Sequence, residues 1–427
     1  MDIRQLENIL YDQKEEIEEK KKLHFCQRTE EDLIDLESPL AQVVIGVRRC
    51  GKSTLCFNAL TRKGVNFAFV NFDDERLVNL SGEELNNVLE VLYKIYGSFN
   101  YLFIDEIQNI PEWFLFVNRL LRRGMHVIVT GSNAKLLSGE LATHLTGRYN
   151  EIELYPFSFL EFCWAQKIDT QVLSTRNTAA LRSAFDKYMD KGGFPEIQFV
   201  RNERNYIASL VNNILVRDIV QRFRIRHSAT FQTLAHHILN IVPLKLSTGT
   251  LRELFNIKST HTVNNYINYL KQAYLLESIH KYSAKSRLRM LAEKLYPIDV
   301  ALMNRRPDAF AGENRGWRLE TIVLIWLLRQ YRSKGMDVYY YEERTGECDF
   351  LVCRGNKVLQ AIQVSYDIST PKTRKREISG LLLAAKKTNC ANLLLLTDHE
   401  FSDETRDNYQ IKIRPVYEYI LRDHALE

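Results

Sequence analysis

Residues Gly46-Val47-Arg48-Arg49-Cys50-Gly51-Lys52-Ser53 match the pattern G-x-x-x-x-G-K-[ST] at every fixed position, and the apolar run Val43 to Ile45 leads into them. A strand, a glycine loop and a helix in that order restrict this part of the chain to a phosphate-binding α/β layout. Gly46 and Gly51 can take backbone angles closed to residues with a Cβ, so successive N–H groups turn inward around a phosphate. Lys52 is expected to reach the β- and γ-phosphates and the Ser53 hydroxyl to bind Mg²⁺, with the helix that starts here adding its positive end. The expected ligands are therefore ATP and Mg²⁺, held by Gly46, Val47, Arg48, Arg49, Cys50, Gly51, Lys52, Ser53 and Thr54.

A second signature is Tyr101-Leu102-Phe103-Ile104-Asp105-Glu106. Four largely apolar residues running into two acids describe a buried parallel strand whose carboxyl end carries function. Asp105 is expected to hold Mg²⁺ through water, and Glu106 to polarise the water that attacks the γ-phosphate. A third strand, Val127 to Thr130, ends in Gly131-Ser132-Asn133, and either Asn133 or Ser132 is expected to touch the γ-phosphate or the attacking water. Arg148, just before the strand-like run Glu151 to Leu154, is the candidate for an arginine that a neighbouring subunit supplies to neutralise transition-state charge; Arg122 and Arg123 are weaker rivals.

The length of 427 residues implies two or three domains. A hydrophobic fraction of 45% and a charged fraction of 26% are those of an ordinary soluble protein. No apolar run approaches the ~18 residues needed to span a bilayer, and MDIRQLENIL lacks the core of a signal peptide, so a cytoplasmic protein without membrane partners is expected. Seven cysteines without a C-x-x-C pair suit a reducing compartment. A net charge of +5 is compatible with nucleic acid without establishing it. The first forty residues read as helix, packing on the nucleotide domain or on a neighbouring subunit, and Ser81-Gly82-Glu83-Glu84 has the form of a capping box opening a helix to Tyr96.

The segments GVRRCGKST, YLFIDEIQNIPEW, VTGSNAKLL, TGRYNEIELYPFSFLEF and GGFPE (Gly192 to Glu196) together resemble a prokaryotic family of AAA+ ATPases in which an AAA+ core precedes a domain of unknown function. The first two motifs are shared by many ATPases, whereas GRY…PFSF is particular to this group. The resemblance implies an AAA+ P-loop fold, a ring-like homo-oligomer for which a hexamer is one candidate, and Arg148 as the residue acting in trans. On this reading the chain divides into an N-terminal helical segment (1–40), an AAA+ core (41–160), a helical lid and connector (161–228), a winged-helix-like domain (229–290) and a C-terminal α/β domain (291–427).

The segment 217–227 concentrates basic charge. Beyond it, Thr250 to Phe255, a turn, and Ser259 to Leu270 form a helix-turn-helix pattern that resembles the family's winged helix. If it binds double-stranded DNA, Thr260, His261, Thr262, Asn264 and Asn265 face the groove, and Lys258 and Lys271 reach phosphates. The alternative use is a protein contact. The C-terminal strands resemble a restriction-endonuclease core in which Glu320 and Asp349 take the first two acidic places. Gln363 and Ser365 stand where an acid and a lysine belong, so a degenerate, non-cleaving docking module is expected. Two functions follow: an ATP-driven motor or switch on DNA, or a signalling or scaffold ATPase of the defence or toxin-antitoxin type that holds a protein.

Overall fold

The computed structural model describes residues 1–132, 145, 147–171, 174–283, 292–304 and 314–422, and the chain divides into two compact units. One holds Met1–Tyr155 with Gln272–Tyr274, the other Pro156–Lys271 with Leu275–Glu427. Among the described residues no helix is long and apolar enough to cross a membrane.

The first unit is built on strands β1 (Ala41–Ile45), β2 (Phe67–Asn71), β3 (Tyr101–Asp105), β4 (His126–Gly131) and β5 (Tyr149–Glu153) in the order β2-β3-β4-β1-β5. Every pairing is parallel. A parallel sheet is covered on both faces, so its strands carry unbroken apolar runs, which is why Val43–Ile45, Phe67–Val70 and Leu102–Ile104 stand out in the sequence. Helices α1 (Ile3–Lys20), α2 (Lys52–Arg62), α3 (Leu85–Tyr96) and α4 (Trp113–Arg122) belong to this unit. Ser81 N–H donates to Glu84 Oε2 at 2.9 Å as a capping box requires, but the box opens a 3₁₀ turn, Gly82–Glu84, that leads into α3.

Helix α1 buries Leu6, Ile9, Leu10 and Ile17 and packs on α3 and β2 of its own chain. Its Gln13 also closes the exposed edge of β2: the amide donates to Asn71 O at 3.0 Å and Asn71 N–H donates back to Gln13 Oε1 at 2.9 Å. The sequence suggests helix through residue 40, but α1 stops at Lys20 and only a 3₁₀ turn, Thr29–Leu33, follows. Arg28 has other work there: its own N–H donates to Glu31 Oε1 at 3.0 Å and its guanidinium turns inward to two carbonyls of the nucleotide domain.

The second unit begins with α5 (Phe159–Ala165), α6 (Thr175–Lys191) and α7 (Glu203–Asn213), the last running into a π-helix, Ile214–Gln221. Next come α8 (Ser228–Ile241), β6 (Leu244–Lys245), α9 (Thr248–Leu254), α10 (Thr260–Gln272), β7 (Leu276–Lys281) and β8 (Glu293–Pro297). The remainder includes α11 (Arg315–Tyr331), β9 (Asp337–Glu343), β10 (Gly346–Arg354), β11 (Lys357–Val364), α12 (Pro371–Thr388), β12 (Leu393–Thr397), β13 (Ser402–Arg406) and β14 (Tyr409–Pro415). The nine strands among the described residues of this unit form one sheet, β13-β14-β12-β11-β10-β9-β7-β8-β6. Strands β6, β7 and β8 pair antiparallel, and β7 joins β9 in parallel through His280–Tyr339 and Lys281–Tyr340. β11 and β12 are parallel, bridged by α12.

The helices expected as a lid pack with these C-terminal elements. Fully buried Glu161 on α5 pairs with Arg329 on α11 at 2.9 Å, and Arg329 also donates to Pro156 O at 2.8 Å. The Gly-Gly turn after α6 is held by buried Asp299, which accepts from Gly193 N–H and Ala301 N–H, each at 2.8 Å. Gly192 sits at φ +77°, and a Cβ there would lie 1.9 Å from Asp299 Oδ1; Gly192→Ala is expected to cost about 2–4 kcal/mol of unfolding free energy. Burial pushes the Asp299 carboxyl up to about 7, against the two N–H donors that favour its ionised form. A carboxyl with a raised folded-state value binds its proton more tightly when folded, so this group contributes stability that declines as pH rises from about 4 to about 7. The slope is at most about 1.4 kcal/mol per pH unit. Denaturant unfolding across that range should show this decline in the wild-type protein relative to Asp299→Asn.

Candidate nucleotide-binding site

The glycine loop leaves β1 with Gly46 pressed against the exit of β5, where a Cβ would meet Leu154 O at 2.1 Å. Gly51, at φ +101°, turns the chain into α2. Arg49, at φ +68°, takes a left-handed angle without being glycine. Cys50 is fully buried, and its carbonyl accepts from Arg28 at 2.9 Å, while the same guanidinium donates to Tyr155 O at 2.6 Å. Arg28 thus fixes the loop to the strand beside it. Arg48 pairs with Asp73 at 2.9 Å.

Lys52 is 4% exposed, and its ammonium donates to Gly46 O at 3.1 Å and Val47 O at 3.2 Å, so it lies within the turn of the loop. Glu106 Oε1 is 4.0 Å from the same nitrogen. The Ser53 hydroxyl donates to Asp105 Oδ1 at 2.8 Å. A hydroxyl and a carboxylate brought together beside a phosphate cradle are a donor set that suits Mg²⁺, which takes few protein oxygens and completes its shell with phosphate and water. No group of three or more His, Cys, Asp or Glu residues that could hold a metal occurs among the described residues.

Strand order explains the convergence. β3 and β1 flank β4, so their carboxyl ends put Asp105, the loop and Thr130 side by side. Thr130 is fully buried; its hydroxyl donates to Asp105 Oδ1 and accepts from Glu106 N–H at 3.0 Å. Burial raises Asp105 to about 6, reinforced by Glu106 and opposed by Thr130, Ser53 and Lys52. Glu106 stands in a left-handed turn at φ +53°, and the Gln108 amide donates to its carboxylate and to Ser132 Oγ at 3.5 Å. Asn133 lies outside the described residues.

Arg28, Gln108 and Thr130 are not singled out by the sequence. For Thr130 a signal exists, a polar residue closing the apolar run Val127–Val129. Arg28 carries none, because the carbonyls its guanidinium reaches, those of Cys50 and Tyr155, are distant in sequence.

Arg148 is exposed, and its carbonyl accepts from Ala41 N–H at 3.0 Å, at the start of β1. The loop leaves the other end of that strand, roughly 16 Å away at ~3.3 Å per residue. Its own loop is thus beyond its reach. Arg122 and Arg123 are exposed at the end of α4.

In the second unit, Lys258, Thr260 and Asn264 are exposed. Thr262 is half-buried, its N–H donating to Ser259 Oγ at 3.2 Å in a helix cap. Lys271 is not a free cation, being paired with Glu293 at 2.9 Å. Glu320 accepts from Lys294 at 2.6 Å and from Tyr296 OH at 2.7 Å. Asp349 is buried and accepts from Val364 N–H at 2.9 Å; burial, with Glu320 adding to it, holds its carboxyl well above the usual range. Gln363 accepts from Asp349 N–H at 3.2 Å and donates to Glu377 at 2.7 Å, and Ser365 donates to Asp367 O at 3.3 Å. Lys294 of β8, a residue the sequence did not flag, thus brings an ammonium to Glu320.

The profile of an AAA domain matches residues 38–163, and that of a Domain of unknown function (DUF8612) matches residues 182–310. An uncharacterized protein of Methanocaldococcus jannaschii is 32% identical over 395 residues, covering 89% of this chain and 88% of the relative. An uncharacterized protein of Haemophilus influenzae is 30% identical over 347 residues, covering 78% and 84%. Among solved structures, a Walker-type ATPase of Pyrococcus abyssi aligns over 65% of this chain and 95% of its own, at 14% identity and a TM-score of 0.43. The RuvB Holliday junction branch migration motor of Thermotoga maritima aligns over 62% and 88%, at 16% identity and a TM-score of 0.29.

Replacing the buried hydroxyl that orients both acids tests this geometry. Thr130→Val should lower ATP turnover about ten- to hundredfold while changing nucleotide affinity far less, in paired steady-state and equilibrium-binding assays.

Proposed function

The chain belongs to the family of these archaeal and bacterial relatives and carries its AAA domain, and from that premise we propose that it binds and hydrolyses ATP as a homo-oligomeric switch or motor acting on double-stranded DNA through its C-terminal region. The observation that carries the ATPase reading is the convergence of Lys52, Ser53, Asp105 and Glu106 on the glycine loop. Lys52 and the loop N–H groups hold the β- and γ-phosphates, and Glu106 accepts the proton of the attacking water. Bound between Ser53 and Asp105, Mg²⁺ would neutralise charge on the phosphate oxygens. Ser132 or Asn133 contacts the γ-phosphate side. Arg148, remote from its own loop, serves the loop of an adjacent copy, and a ring is the arrangement that supplies every loop with one.

For the C-terminal region, the order α8-β6-α9-α10-β7-β8 supports a winged helix spanning residues 229–290 and the first strand beyond them, with α10 as the element that enters a groove. The sequence β9-β10-β11-α12-β12, together with Glu320 and Asp349 engaged by Lys294, supports a nuclease-like module that docks without cutting. Pairing of Lys271 with Glu293 favours the second reading, a scaffold ATPase whose C-terminal region holds a protein, because it removes one phosphate-binding cation from α10.

Three variants test the ATPase reading. Lys52→Ala should abolish nucleotide binding, and Glu106→Gln should bind ATP while hydrolysing it at least about a hundredfold more slowly. Arg148→Ala should bind normally, hydrolyse poorly and depress wild-type turnover when mixed with it. Normal turnover by the arginine variant, or full activity in a monomer, would rule out catalysis in trans.

A further inference from the structure

Between Asp218 and Glu277 the only acidic residue is Glu253, although Asp and Glu number 53 among 427 residues, about one in eight. The same interval carries seven cations, Arg222, Arg224, Arg226, Lys245, Arg252, Lys258 and Lys271. It is also the interval that folds into α8, β6, α9 and α10. Charged surfaces that merely stay soluble mix both signs, and an acid-free run that keeps its lysines and arginines suits a polyanion.

Burial and pairing divide these cations. Lys245 is bound to Glu342 and Glu347 at 2.6 and 2.7 Å, Arg252 to the lone Glu253 at 3.0 Å, and Lys271 to Glu293 at 2.9 Å. Arg224, Arg226 and Lys258 are exposed and carry no ion pair among the described residues.

Their placement is set by one aromatic contact. Phe223, just after the π-helix, stacks on Tyr269 of α10 with ring centroids 4.0 Å apart and planes 12° apart. Val263, Tyr266, Ile267 and Leu270 face the core, so Thr260, His261, Asn264 and Asn268 form the outward stripe. Tyr269 stands on the flank of that stripe, and the stack therefore brings the backbone carrying Arg224 and Arg226 alongside the last turns of α10. Lys258 precedes the first turn. From Thr260 to Tyr269 the helix rises about 14 Å at ~1.5 Å per residue, comparable with the ~12 Å width of a DNA major groove.

We infer that duplex DNA is gripped through its phosphates by Arg224 and Arg226 at one end of α10 and Lys258 at the other, with Asn264 and Asn268 presented to the groove between them. This rests on the DNA reading proposed above, and it moves the main phosphate contacts off α10 onto the segment after the π-helix. Lys271, neutralised by Glu293, takes no part.

The test is fluorescence anisotropy of a labelled duplex with the full-length protein between 50 and 200 mM salt. Wild type should bind with an affinity that falls steeply with salt. Arg224→Gln combined with Arg226→Gln should bind more weakly and flatten the log–log salt slope by about two, Lys258→Gln should flatten it by about one, and Lys271→Gln should leave it unchanged. All the substituted side chains are at least partly exposed, and unchanged circular dichroism confirms that the fold is retained. If the double arginine variant keeps wild-type affinity and slope, the grip is wrong while DNA binding stands. If wild type shows no salt-dependent binding at 50 mM, the grip and the DNA reading fall together and the protein-partner reading takes their place.

Discussion

Burying charge at the carboxyl edge of a parallel sheet is the constraint on which the first unit turns. Lys52, Asp105 and Glu106 would be costly alone in such a place. They are tolerable because each answers another: the ammonium sits among loop carbonyls and near Glu106, while Asp105 accepts from two hydroxyls. Strand order makes this possible, since only neighbouring strand ends can deliver an acid, a hydroxyl and a glycine loop to one point. Arg28 and Gln13 extend the arrangement to the N-terminal segment, one fastening the loop and the other completing the β2 edge.

Two of the segments that carry the family resemblance have a mechanical explanation. PFSF and GGFPE meet: Phe157 N–H donates to Gly193 O at 2.7 Å, Tyr188 OH donates to Phe157 O at 2.8 Å, and Phe159 packs edge-on against Phe185. A Cβ on Gly193 would lie 2.2 Å from Phe157 O, so glycine is required for the approach itself. These residues shape the second unit.

What could be read from the sequence follows from range. The parallel core was legible because buried strands announce themselves locally and the glycine loop has fixed spacing. Asp105 and Glu106 followed from standing at the end of such a strand. Thr130 and Arg28 depend on neighbours far along the chain, and no local pattern encodes those meetings. The same limit hid Lys294: the sequence places Ser365 where a lysine is expected, but does not show that β8 brings one to Glu320. It also left Lys271 as a phosphate contact, because its pairing with Glu293 arises only when α10 lies beside β8.

The pairing of β7 with β9 is short, two residue pairs in register, yet it fuses three strands beside α10 to the six that follow. Hydrogen bonds across a sheet resist shear along the strands far better than a linker resists bending. Within this unit, then, α10 runs into a strand of the same sheet that carries Asp349, so helix and carboxylate are joined through main-chain hydrogen bonds and not through a linker alone.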